Sequence, residues 1–130
     1  LIGLYAAGLT GIGYGLRQLL DQLTENGIDI STIVASGGAA HSPLVCQMLA
    51  DATGVTVAMA LAPEPVLLGS AMLAAVASGG HSTLTDAMRE MAGPYTTFVP
   101  AVGAEAVTHE RRYRAFQILQ EAAREIRQQS

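Results

Sequence analysis

Thr32-Ile33-Val34-Ala35-Ser36-Gly37-Gly38-Ala39-Ala40-His41-Ser42-Pro43 is the stretch that decides how the chain is read. The β-branched run Thr32–Ala35 predicts a buried strand, and Ser36-Gly37-Gly38 predicts the turn that ends it. Ser42 before Pro43 has the form of an N-cap followed by proline at the first helical position, where its missing N–H breaks no bond. The helix so opened carries Leu44, Val45, Met48 and Leu49 and stops at Gly54. Residues 55–58 then predict a second strand. Strand, helix and strand in such short succession form a βαβ unit, whose strands run parallel with a right-handed crossover.

Upstream, apolar residues at Tyr5, Leu9, Ile12, Leu16, Leu19 or Leu20, and Leu23 recur in steps of three and four and mark one face of a helix that ends at Gly27. A glycine inside a helix costs about 1 kcal/mol relative to alanine. Gly8, Gly11 and Gly15 therefore predict close approach of another helix. Downstream, Pro63-Glu64-Pro65 opens a third helix over residues 66–78, which is apolar on nearly every side and so expected to be buried all round. Gly79-Gly80 stops it. Ser82 or Thr83 caps a short helix with Leu84, Met88 and Met91, and residues 93–103, with two prolines and Tyr95, are expected to be a loop. A final helix over residues 104–129 sets Tyr113, Phe116, Ile118/Leu119, Ala122/Ala123 and Ile126 against a charged face.

The chain has 130 residues, 50% hydrophobic and 14% charged, where an ordinary soluble domain carries roughly 25% charge. Its length fits one domain, and its hydrophobicity excludes a disordered tail. Seven arginines, no lysine and a net charge of -4 leave no basic footprint for nucleic acid. The single cysteine, Cys46, cannot close an internal disulfide and points to a reducing compartment. Residues 1–16 carry no charge, but they fall short of the roughly 20 that cross a bilayer and lack the basic start of a secretory signal. A cytoplasmic protein without a membrane segment is expected. The mean hydropathy of +0.34 is high for a small domain, which leaves much of its surface unburied. With Leu1 in place of an initiator methionine, we expect part of a longer protein, with apolar faces that meet either the remainder of that chain or a second copy.

A glycine turn between a strand's carboxyl end and a helix N-terminus exposes backbone N–H groups and lets a ligand approach without meeting a Cβ. Ligands of open α/β sheets sit at that edge. The same turn is also an ordinary tight connection, and spacing alone leaves both readings open. No Gly-Lys-Ser/Thr follows, so it is not a Walker loop. Gly11-Ile12-Gly13 has Leu16 where a dinucleotide fingerprint needs its third glycine, and it precedes the strand. His41, His81 and His109 lie far apart and read as exposed or capping. Asp51 and Glu64 could approach each other through the βαβ unit, although Asp51 reads as solvated or structural, and Cys46 reads as a small core residue. The arginines of the final helix are expected to pair with Glu110, Glu121 and Glu125 along a solvated face. No catalytic constellation and no metal-ligand spacing emerges.

Residues 36–42, joined to Gln47-Met48-Leu49-Ala50-Asp51-Ala52-Thr53-Gly54 and to Glu64-Pro65-Val66-Leu67-Leu68-Gly69-Ser70-Ala71-Met72-Leu73-Ala74-Ala75, resemble the C-terminal end of an FGGY-family carbohydrate kinase. Gly11-Ile12-Gly13-Tyr14-Gly15-Leu16-Arg17 is similar to the helix before that loop. Residues 66–72, with Asp86-Ala87-Met88 and His109-Glu110-Arg111-Arg112-Tyr113, are most similar to the pentulose (ribulose or ribitol) kinase branch. The resemblance covers essentially the whole chain and is most specific in its two central blocks.

The resemblance implies an α/β fold, the C-terminal part of an actin/hexokinase/RNase H-like ATPase domain with a βαβ unit and flanking helices. Residues 1–130 would then be a single partial domain, the nucleotide-binding segment of a larger sugar kinase. The activity implied is ATP-dependent phosphorylation of a pentulose or pentitol. Gly37, Gly38 and Ala39 would close over adenine and ribose, and Ser42 stands where many members carry an asparagine that hydrogen-bonds the nucleotide. Gly69 and Ala71 would allow close packing beneath that site. The family's catalytic base, phosphate-binding turns and sugar contacts would lie upstream of Leu1, as would most of what holds Mg²⁺. The implied partners are thus ATP with Mg²⁺, the sugar through the upstream part, and the remainder of the kinase. A chain holding the adenosine side alone is not expected to turn over ATP. The alternative is a non-catalytic α/β interaction module that self-associates.

Overall fold

A computed structural model describes residues 2–60, 62 and 64–129. Leu1 and the Pro63 of the expected helix-opening break lie outside the described residues, as do the side chains of Ala39 and Ala40. In chain order come helix α1 (Ile2–Glu25), strand β1 (Thr32–Ala35), a 3-10 turn (Gly37–His41), helix α2 (Pro43–Thr53) and strand β2 (Thr56–Ala60). Helices α3 (Pro65–Ala77) and α4 (Leu84–Met91), strand β3 (Tyr95–Phe98) and helix α5 (Ala104–Gln128) complete the chain.

The βαβ unit forms as its sequence requires. β1 and β2 pair in parallel, with Ile33 opposite Val57 and Ala35 opposite Met59. Side chains alternate across a sheet, so Ile33, Ala35, Val57 and Met59 share one face. That face is covered by Cys46, Leu49 and Ala50 of α2, which leaves Val57 1% exposed and Cys46 fully buried. α2 ends at Gly54, whose φ of 73° lies in the left-handed region that glycine adopts without a Cβ penalty. The expected loop at residues 93–103 is corrected: Tyr95–Phe98 is a third strand, antiparallel to β2, with Phe98 opposite Val57. Prolines on either side hid it, while its Tyr-Thr-Thr-Phe run carries the aromatic and β-branched residues that favour strands.

α1 lies across α2, and the contact is set by one glycine. A Cβ added at Gly13 would sit 2.6 Å from the Cβ of Ala52, whereas one added at Gly8, Gly11 or Gly15 would meet nothing within 4 Å. The close approach predicted for those three glycines therefore belongs to Gly13. Tyr14, beside it, joins Ala52, Tyr113 and Phe116 in a second cluster that ties α1 and α2 to α5. Around this cluster, Tyr113 donates its hydroxyl proton to Asp21 Oδ2 at 2.5 Å, and Arg17 Nη2 donates to Glu110 Oε2 at 2.6 Å. The Arg17 guanidinium also lies 4.2 Å from the centre of the Tyr113 ring. The polar face of α5 is thus only partly the solvated, internally paired face read from sequence. Glu110 does pair with Arg114 along the helix, at 3.2 Å, but it also holds Arg17 of α1.

α3 departs from expectation. It packs chiefly on α4, and Met72 and Ala87 are the buried residues of the two helices. Val66, Leu67 and Leu73 remain 79%, 64% and 61% exposed, so the helix is not buried all round. Uniform apolarity gives a helix no preferred inner face, and the rest of this chain covers only one side of it. Gly69, expected to mediate close packing, has open space where a Cβ would be, and Ala71 is exposed. Among the described residues no helix is long and apolar enough to cross a membrane.

Two outcomes follow from the α1 contacts. Gly13→Ala gains about 1 kcal/mol of helix propensity but drives a methyl against the Ala52 Cβ, 2.6 Å away, an overpacking cost of roughly 1–3 kcal/mol. Urea unfolding is expected to show net destabilisation for Gly13→Ala and net stabilisation, by about 1 kcal/mol, for Gly11→Ala. Burial and the neighbouring Asp21 carboxylate push the Tyr113 phenol from 10.0 up to about 12. The unfolded chain therefore loses this proton first, and stability held below pH 10 is lost as pH rises towards 12. The fall in melting temperature over that range should be shallower in Tyr113→Phe.

Candidate functional site

The carboxyl ends of the two parallel strands point the same way, and both are followed by turns that lead into helix N-termini. β1 ends at Ala35. Gly37, at φ 70°, then turns the chain through a left-handed conformation open to few residues but glycine. The 3-10 turn Gly37–His41 delivers Ser42, whose backbone is extended (φ −130°) and whose Oγ accepts a hydrogen bond from the Val45 N–H at 3.4 Å. Ser42 is thus the N-cap read from sequence, with Pro43 behind it. β2 ends at Ala60, and Glu64 forms the N-cap position of α3 without a side-chain capping bond.

Between these two turns lies a crevice of about 600 Å³, lined by Ser36, Gly37, His41, Pro43, Met59, Ala60, Ala62, Glu64, Pro65 and Val66. That size falls within the range of small-molecule sites. Pro43, Met59, Ala60, Pro65 and Val66 make it largely apolar, and Glu64 and His41 are its ionisable groups. A Cβ at Gly37 or Gly38 would meet nothing within 4 Å, so both present bare backbone to open space. Of the residues singled out from sequence, Gly37 forms part of the wall. Gly38 and Ser42 belong to the same turn and helix start but are not wall residues, and the Ala39 side chain lies outside the described residues. Met59 and Glu64 were not chosen as binding residues. The alternation of β2 carried a signal for Met59, the last inward-facing residue before the strand ends.

The other groups weighed for chemistry stand apart from the crevice. Asp51 does not line the crevice with Glu64: its Oδ1 accepts from the Ala101 N–H at 2.8 Å and from Gln47 Nε2 at 2.8 Å. Gln47 Nε2 also donates to the Val99 carbonyl, at 2.9 Å, so the pair fastens the segment after β3 onto α2. His109 Nδ1 is hydrogen-bonded to the Tyr14 hydroxyl at 3.1 Å, which makes it an interhelical contact and not a free surface histidine. His81 Nδ1 lies 3.8 Å from Glu90. Burial raises the Cys46 thiol above its usual range and keeps it protonated inside the core. Among the described residues no group of three or more His, Cys, Asp or Glu side chains gathers as a metal site.

The profile of the FGGY family of carbohydrate kinases, C-terminal domain, matches residues 1–78. The FGGY carbohydrate kinase domain-containing protein of Xenopus laevis is 40% identical over 88 residues, which take in 68% of this chain and 16% of that protein. The L-xylulose/3-keto-L-gulonate kinase of Escherichia coli K12 is 28% identical over 109 residues, 84% of this chain and 22% of that enzyme. The crystal structure of ligand-bound xylulose kinase from Lactobacillus acidophilus superposes with a TM-score of 0.76 at 23% identity, covering 88% of this chain and 23% of that one. The chain therefore spans about a fifth of the length of the kinases it matches.

The capping bond of Ser42 gives a direct test of its structural share. At 3.4 Å it is long, so Ser42→Ala is expected to lower stability by about 0.5–1 kcal/mol, the lower part of the range for N-caps, while Ser42→Asp retains it. Chemical denaturation of the three chains measures this.

Proposed function

Because this chain belongs to the FGGY family of carbohydrate kinases and corresponds to its C-terminal domain, we propose that the crevice at the ends of β1 and β2 binds the adenosine part of ATP for a sugar kinase. The bare backbone of Gly37 and Gly38 carries this reading: nothing occupies the space a Cβ would fill, and a flat purine can approach the chain there. The apolar walls, Pro43, Met59 and Val66, suit the faces of a base. The lining contains no Arg, and the chain has no Lys. Glu64 adds a negative charge instead. The crevice thus suits the nucleoside and repels the triphosphate, which would extend away from it.

Under this reading Gly37, Gly38 and Ala39 form the turn against base and ribose. Ser42, whose Oγ accepts from Val45, keeps its hydroxyl proton free to donate to the nucleotide. ATP supplies the phosphoryl group to be transferred, and positioning and charge stabilisation at that group require cations and a base. None of that machinery is assigned to this chain, and no residue of it is assigned to Mg²⁺. The acceptor proposed is a pentulose or pentitol, in keeping with the xylulose-type relatives, and its contacts are assigned to the part of the kinase outside these residues, in the cytoplasm.

The exposed apolar faces of α1 and α3, with Ile2, Leu4, Val66 and Leu67 all turned to solvent, favour a second reading. In it the chain serves as an α/β module whose main partner is another protein surface, its own copy included. One titration separates the two. Calorimetry with ATP should show saturable binding to the 130-residue chain, and Gly38→Val, which fills the approach to the turn, should abolish it. ATP binding left intact by Gly38→Val would sink the crevice assignment.

A further inference from the structure

Resting on the nucleoside reading of the crevice, we infer that Glu64 selects ribonucleotides, its carboxylate accepting both hydroxyls of the ribose cis-diol. Glu64 is the only carboxylate among the crevice residues. It occupies the N-cap position of α3 yet makes no side-chain capping bond, and among the described residues no ion pair engages it. An ionised carboxylate offers two acceptor oxygens and no donor. What it can recognise at the mouth of an apolar crevice is a ligand edge with paired O–H or N–H donors.

The order of elements says which edge. In parallel βαβ nucleotide sites the glycine turn follows the first strand, and an acid at the end of the neighbouring strand takes a ribose hydroxyl. Here Gly37 and Gly38 follow β1, and Glu64 follows β2, its parallel neighbour, with Ala35 and Met59 paired at the strand ends. The glycine fingerprint of a dinucleotide fold is absent, but here too a glycine turn after the first strand and an acid after its parallel neighbour line one crevice. Met59 and Pro43, apolar and without donors in their side chains, leave the base to be held by its faces. The diol then falls to the carboxylate, and the negative charge of Glu64 turns the phosphates away from it.

The test is calorimetric titration of the 130-residue chain with ATP, 2′,3′-dideoxy-ATP and ITP, folding being monitored by circular dichroism. The wild-type chain is expected to prefer ATP over dideoxy-ATP by roughly tenfold, the scale of a hydrogen bond to a charged group. Glu64→Gln should narrow that preference and Glu64→Ala erase it, neither variant weakening the binding of dideoxy-ATP. ITP should bind as ATP does. A diol preference that persists in Glu64→Ala overturns the inference. So does discrimination against ITP that disappears in Glu64→Ala, which would give the carboxylate to the adenine amine. If Gly38→Val abolishes ATP binding while the Glu64 variants change nothing, the crevice stands and the role of Glu64 falls. If the wild-type chain binds no ATP, both fall.

Discussion

Everything in this molecule hangs on how deeply α2 can be sunk between the sheet and the helices behind it. Its inner side, Cys46 and Ala50, is shut against Val57 and Met59. Its outer side, Ala52, touches α1 at a point where only a glycine fits. Two layers of close-packed contact on one short helix require small residues on both sides, because packed interiors tolerate little change of volume. With α2 so fixed, its N-terminus is fixed too, and so are Ser42, the glycine turn and one wall of the crevice.

The opposite wall is built differently. It comes from the first residues of α3, a helix that leans on α4 and leaves most of its apolar surface in water. The crevice is therefore rigid on the α2 side and lightly held on the other. Its chemistry follows the same division. Bare backbone stands on the rigid side, and a carboxylate with apolar neighbours stands on the lighter one.

The βαβ unit was legible because each of its boundaries has a local chemical cause: a proline behind a serine cap, a glycine at the left-handed stop, β-branched runs between. The family resemblance was legible in the same residues. The strand Tyr95–Phe98 was not, because its pairing with β2 lies far away in sequence and prolines flank it. Helical periodicity also could not say which glycine of α1 meets α2. Gly8, Gly11 and Gly15 share the pattern, and only the crossing point, known from the fold, selects Gly13. α3 misled for a related reason, since an evenly apolar helix reads as buried whether or not anything in the chain covers it. Glu64 was noted as an acid, but its place beside the glycine turn depends on the parallel pairing of β1 with β2.

The division between the two walls also has a thermodynamic consequence. α3 and α4 pack on each other, and neither contributes to the two clusters that hold the sheet and the other helices. Segments cohering in this way open as separate cooperative units, and amide protons of α3 and α4 then exchange sooner than those of β2. A molecule lodged in the crevice touches both units at once. Its binding would fasten one to the other, so that the two would open less independently in the ligated protein than in the empty one.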